Sequence, residues 1–152
     1  KNVLDLGSAP GGWSQYISLK HPKTKIFAID LLDMEPITGV TFIKDDISNI
    51  DDIDKINTFK GKFDLVISDI APNLTGIRSV DDENIFELNL KAINIANKYS
   101  KDTNAAMIIK TFQNNNLKSL RKHMELPFKI VQTYKPAASK NKSAEIYLYG
   151  AR

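Results

Sequence analysis

The 152-residue chain contains no cysteine, which excludes disulfides and thiolate metal sites and suits a reducing compartment. Its two histidines, His21 and His123, lie far apart, so no metal site is expected. No apolar run approaches the ~20 residues of a bilayer-crossing helix, and no basic-then-apolar leader opens the sequence. A cytoplasmic protein that avoids membranes is the expectation, and a monomer is expected as well. Glycine is sparse, at seven residues, and three of them crowd into one turn near the start.

What is present is ordinary for a globular domain: 42% hydrophobic and 26% charged residues, in a length that suits one domain with a core. The chain opens at Lys1 directly on an apolar strand without a methionine. Residues 1–152 are accordingly expected to form a single domain that lacks a short N-terminal segment. The net charge of +3 conceals an asymmetry. Residues 1–90 carry 9 Lys/Arg against 15 Asp/Glu, whereas residues 91–152 carry 12 against 3. The second half offers a surface suited to a polyanion, although an unevenly charged solvated face would give the same count.

Apolar runs at strand length occur at 2–7, 25–30, 40–44, 63–70, 105–112, 128–134 and 144–149. Between them, helices are expected from Trp13 to about Lys20, from Asp82 to Ser100 and from Leu117 to Met124. Ile85, Leu88, Ala92, Ile95 and Ala96 make the apolar stripe of the long one. Residues 49–58 read as a helix or an irregular crossover. This alternation implies an open, mostly parallel α/β sheet, whose ligands sit at the carboxyl ends of the strands. Gly7, Asp30, Asp46, Asp69 and Lys110 end successive strands and should converge on that rim.

Gly7, Gly11 and Gly12 of the turn GSAPGG let a backbone approach a ligand, and the helix that follows offers free N–H groups. The spacing is not G-x-G-x-x-G, and no Gly-Lys-Ser/Thr follows, so neither a dinucleotide fingerprint nor a Walker loop is present. Asp30 is placed to accept from a ribose diol and Asp46 from an adenine amino group. Each aspartate alone reads equally as a turn former or a helix cap. Together with the glycine turn they outline a cofactor pocket, and its acidity suits a cationic sulfonium.

The run VLDLGSAPGGWSQY (3–16) resembles motif I of the FtsJ/RrmJ (RlmE) family of ribose 2′-O-methyltransferases. The similarity continues through AIDLLDMEPI (28–37), FDLVISDIAPNLTG (63–76), IIKTFQ (108–113) and KPAASKNKSAEIYLYG (135–150), in the family's order. The resemblance implies a Rossmann-like, S-adenosylmethionine-dependent methyltransferase fold, with a mostly parallel seven-stranded sheet and helices on both faces. It implies that Gly11, Trp13, Asp30, Asp46 and Asp69 contact S-adenosylmethionine, with Gly7, Pro10 and Ile47 as further wall residues beside Gly12. It also implies three members of a Lys-Asp-Lys-Glu catalytic set in Asp69, Lys110 and Glu145. The first lysine of that set belongs before motif I, and Lys1 lies too close to motif I to be that residue.

In such a set Lys110 would take the proton of the 2′-hydroxyl, with Asp69 and Glu145 orienting and tuning it. By pattern alone, Lys110 also reads as a strand-end lysine that reaches water, Asp69 as a loop cap and Glu145 as part of an exposed strand face. A carboxylate neighbour raises a lysine pKa, so a base at Lys110 needs desolvation or a second cation to compensate. Lys135, Lys140 and Lys142 form a donor-rich loop suited to phosphate contacts. The resemblance points to bacterial large-subunit ribosomal RNA, at a uridine ribose. Transfer RNA as substrate, or a catalytically weak ribosome-assembly factor of the same fold, are the alternatives. A base-nitrogen methyltransferase would want an N/D-P-P-Y/F clamp where this chain reads DIAPN at 69–73.

Overall fold

A computed structural model describes residues 1–136 and 144–152. The expected contacts at Lys140 and Lys142 fall outside the described residues. Seven strands form one sheet: β1 (Asn2–Leu6), β2 (Lys25–Asp30), β3 (Val40–Lys44), β4 (Leu65–Ser68), β5 (Ala106–Phe112), β6 (Ile130–Tyr134) and β7 (Glu145–Ala151). Their order is β3-β2-β1-β4-β5-β7-β6. The first five run parallel, and β7 is antiparallel to both β5 and β6. Among the described residues four helices accompany them: α1 (Gly12–Lys20), α2 (Asp54–Asn57), α3 (Arg78–Tyr99) and α4 (Leu117–Met124), with a 3-10 turn at Ile47–Asp52.

Alternation along the strands divides the side chains between the faces. Leu4, Leu6, Phe27, Ile29, Val66, Met107, Ile109 and Leu148 point into the main core, where Ala92, Ile93 and Ala96 of α3 and Leu120 and Met124 of α4 meet them. Val3, Ile26 and Ile67 face the other way and pack with Trp13 and Ile17 of α1. Helices thus lie on both faces, as expected.

Strand β4 is shorter than its apolar run. Phe63 instead bridges to Ser100, and the Asp64 carboxylate accepts from the Asn2 N–H and the Lys101 ammonium. Helix α3 begins at Arg78, four residues before the expected start at Asp82. The preceding loop is pinned by Asp81, whose carboxylate accepts from the Thr75 N–H and hydroxyl and from the Gly76 N–H. Among the described residues no helix is long and apolar enough to cross a membrane.

Candidate active site

The topology reverses between β1 and β4, and the crevice of an open α/β sheet lies at that switch point. A cavity of about 310 Å³ opens there, lined among others by Gly7, Asp30, Asp46, Ile47, Asp69 and Leu88. Gly7 has φ +73°, and a Cβ there would stand 2.9 Å from the Ile70 Cα. Asp30 accepts the Ala9 N–H at 2.8 Å and the Leu32 N–H at 2.9 Å, joining the glycine turn to the loop after β2. Asp46 caps the 3-10 turn through the Ser48 N–H at 2.8 Å. That backbone bond, with help from the Ser48 hydroxyl and the Lys91 charge, holds its carboxyl below the usual range.

Lys91 and Leu88 of α3 also line this cavity, as does Asn73 after β4. Neither Lys91 nor Asn73 carries an individual signal in the sequence, and Leu88 shows there only as a member of the helix stripe. Lys91 donates to the Ser48 hydroxyl at 2.9 Å and so ties α3 to the 3-10 turn.

Pro10, Gly11, Gly12 and Trp13 do not line this cavity. Gly11, at φ +111°, backs onto Met34 and Ile37, and Pro10 and Gly12 are exposed. Trp13 turns to the α1 face of the sheet and lies against Tyr147, with ring centroids 5.9 Å apart. There it borders an apolar groove of about 970 Å³ running over Ile67, Ile108 and Tyr149. Gly11 takes the αL conformation immediately before α1, and Trp13 and Ile17 of that helix pack on Val3, Ile26 and Ile67.

The N–H groups at the start of α1 are also partly engaged within the protein. Asp5, buried in β1, accepts the Ser14 hydroxyl at 2.6 Å and the Ser14 N–H. Burial pushes Asp5 up to about 6 against the pull of the Ser14 bonds, and the charges of Asp69 and Asp30 add to the rise. A carboxyl raised in the folded state binds its proton more tightly there than in the unfolded chain. Its stabilising contribution is complete below the unfolded value of 3.8 and is lost as pH rises through about 6. The difference corresponds to about 3 kcal/mol. Asp5→Asn keeps an acceptor for Ser14 and is expected to abolish that decline, measured as urea midpoints at pH 4, 5, 6 and 7. A decline of equal size in the variant would show that another group is responsible.

Asp69 and Lys110 meet at the rim on the α1 face, Oδ1 to Nζ 2.5 Å, with side chains about one-quarter to one-third exposed. Strand alternation puts them there: Lys110 shares its face with Ile108, and Asp69 follows Leu65 and Ile67 on the same side. Tyr147 sits opposite Lys110 in the β5–β7 ladder, and Glu145 opposite Phe112. Burial pulls the Lys110 ammonium down, but the Asp69 hydrogen bond and the charges of Asp69 and Glu145 outweigh it, leaving Lys110 above its ordinary value. The compensation that a free base requires is therefore not present in these surroundings. Lys135 is exposed just beyond β6.

The parallel sheet, the crevice at the switch point and the acidic cavity beside a lysine–carboxylate pair define a Rossmann-like, S-adenosylmethionine-dependent methyltransferase. The chain belongs to the FtsJ-like methyltransferase family, which it matches along residues 1–152. It is 39% identical to the ribosomal RNA large subunit methyltransferase E of Buchnera aphidicola subsp. Cinara cedri, over 99% of this chain and 74% of that one. It is 40% identical to the protein of the same name from Wigglesworthia glossinidia brevipalpis, over 96% and 72%. A crystal structure from Plasmodium falciparum, designated a ribosomal RNA methyltransferase, superposes with a TM-score of 0.85. That protein is 30% identical, and the match covers 99% of this chain and 85% of that one.

Proposed function

We propose that this chain transfers the methyl group of S-adenosylmethionine to a ribose 2′-hydroxyl of large-subunit ribosomal RNA. The observation that carries the reading is the Asp69–Lys110 pair at the rim of the acidic cavity, with Glu145 on the neighbouring strand. The donor set fits a cationic cofactor, since Asp30, Asp45, Asp46 and Asp69 all line the cavity. In this reading Asp30 faces the cofactor ribose, and Asp46 and Ile47 face the adenine. Gly7 lets the chain pass close by, and Asp69 faces the amino-acid end. Gly11 and Trp13 complete the cofactor contacts from the glycine turn and the start of α1, with Pro10 and Gly12 as further wall residues.

When bound, the cofactor supplies an electrophilic methyl group. The protein's own work is to align the acceptor oxygen, a step that can lower a barrier by roughly 7–11 kcal/mol, and to manage its proton. Lys110 holds the 2′-oxygen and accepts its proton when neutral, and Asp69 and Glu145 set its orientation. Because the carboxylates favour the ammonium, the neutral amine is scarce at pH 7. The single-turnover rate is expected to rise about tenfold per pH unit below the Lys110 pKa. Asp69→Asn should move that profile to lower pH, because a charge favouring the ammonium is lost. A flat profile from pH 6 to 9 would contradict a lysine base.

The relatives named as large-subunit ribosomal RNA methyltransferases support ribosomal RNA over transfer RNA. Lys135, Lys140 and Lys142 would serve the phosphates, and the protein would act as a cytoplasmic monomer. Titration calorimetry with S-adenosylmethionine, and with NAD as control, tests the pocket. Selective binding, weakened by about tenfold or more in Asp46→Ala, is the expected result. Equal binding of NAD, or undiminished affinity in the variant, would count against the assignment.

A further inference from the structure

The two segments that carry Asp69 and Lys110 continue past the rim and meet again. From Asp69 the chain runs through the Asp81-pinned loop to Arg78, the first residue of α3. From Lys110 it runs to the triple asparagine Asn114 to Asn116. The Asn116 amide donates to the Asp82 carbonyl at 3.4 Å, and the Asn116 N–H to the Asn114 side chain at 2.9 Å, so this loop is tied to α3. Between the segments lies a cleft of about 440 Å³, lined by Arg78, Ser79, Asp82 and Asn115.

The lining has the chemistry of a nucleotide contact rather than of a structural joint. The Arg78 side chain is 87% exposed, and its ion pair with Asp82 is a long one, Nε to Oδ2 3.9 Å. The outer edge of its guanidinium therefore remains available for a phosphate. Asn115 is exposed, and its amide can both donate to and accept from a base edge. Beside them, Leu74 and Ile77 are 73% and 60% exposed on a loop that Asp81 holds in place. Unstacked bases seek such fixed apolar surfaces. Asn115 is five residues beyond Lys110, so it lies at most about 17 Å along the chain from the reacting position, within reach of a neighbouring nucleotide.

We propose that this cleft holds a nucleotide next to the acceptor in the RNA strand, with its phosphate on Arg78 and its base edge on Asn115. The inference rests on the RNA reading above and adds a subsite to it. Asp82 lies in the same cleft and opposes an anion, so the phosphate takes the outer side of Arg78, away from that carboxylate.

The test pairs RNA binding across 50–200 mM salt with steady-state methyl transfer, for the parent chain, Arg78→Ala, Arg78→Lys and Asn115→Ala. Arg78→Ala should reduce the slope of log affinity against log salt by about 0.7, the loss of one single-strand phosphate contact. It should raise the RNA KM by about fivefold to tenfold and leave kcat and cofactor affinity unchanged. Arg78→Lys should restore the slope, because a cation remains. Asn115→Ala should raise KM without changing the slope. An unchanged slope and KM in Arg78→Ala would overturn the subsite. A changed slope with no methyl transfer by the parent chain would keep the subsite and sink the catalytic reading instead.

Discussion

Lys110→Ala is expected to lower methyl transfer by about 10²–10⁴-fold while leaving cofactor affinity within about twofold. The asymmetry follows from where the side chain lies. Its ammonium meets Asp69 at 2.5 Å on the α1 face, and Lys110 does not itself line the cavity that holds Asp30 and Asp46. Truncation removes the group that aligns the acceptor and takes its proton, and leaves the cofactor walls in place. It also leaves Asp69 without its cation, so a modest loss of stability is expected alongside. Single-turnover transfer and calorimetry on the same preparation separate the two effects. Turnover within a few fold of the parent, at any pH, would remove Lys110 from the chemistry.

Gly7→Ala is expected to have the largest effect on the fold around the site. A side chain at φ +73° costs about 1–2 kcal/mol on its own. The added Cβ would also stand 2.8 Å from Ile70 Cγ1, 2.9 Å from Ile70 Cα and 3.0 Å from Ile70 N. Two of those three atoms are backbone, so rotating a side chain does not relieve the clash. Overpacking of this kind costs roughly 1–3 kcal/mol more. Ile70 follows Asp69 and shares the cavity wall with Gly7, so the displacement reaches the binding site directly. Urea denaturation should show a loss of about 2–5 kcal/mol, together with weaker cofactor binding. A variant of parental stability and affinity would mean that Gly7 is not a point of close approach.

Much of this was legible in the sequence because local pattern and tertiary environment agree. Lys25–Asp30, Val40–Lys44 and Leu117–Met124 occupy the residues that their apolar patterns outline. The α/β class follows from such runs, and so does the convergence of Gly7, Asp30, Asp46 and Asp69 on one cavity, whereas the FtsJ-like family is carried by the motif blocks that begin with VLDLGSAPGGWSQY. What pattern could not supply were facts of long-range pairing. Just before β4, Phe63 and Asp64 are taken up by Ser100, Asn2 and Lys101, none of them near in the chain. The start of α3 follows a loop anchored by Asp81, and the apolar period there is too short to reveal it.

The site shows the same division. Trp13 belongs to the motif that carries the resemblance, and its ring lies against Tyr147 on the α1 face, a long-range contact that no local pattern reveals. Lys91 entered the cavity wall unmarked, since one lysine on a helix carries no signal until the opposing Ser48 is known. The state of Lys110 was open for a related reason. Burial and two carboxylates pull its proton in opposite directions, and only their distances decide the balance.

The most direct test of the central claim is to locate the transferred methyl group. The chain is incubated with methyl-labelled S-adenosylmethionine and large-subunit ribosomal RNA, and the digested nucleosides are resolved by mass spectrometry. The account predicts label on a ribose, as a 2′-O-methyl nucleoside that disappears with Lys110→Ala. Label on a base, or an unlabelled digest from a folded chain that binds the cofactor, would contradict it.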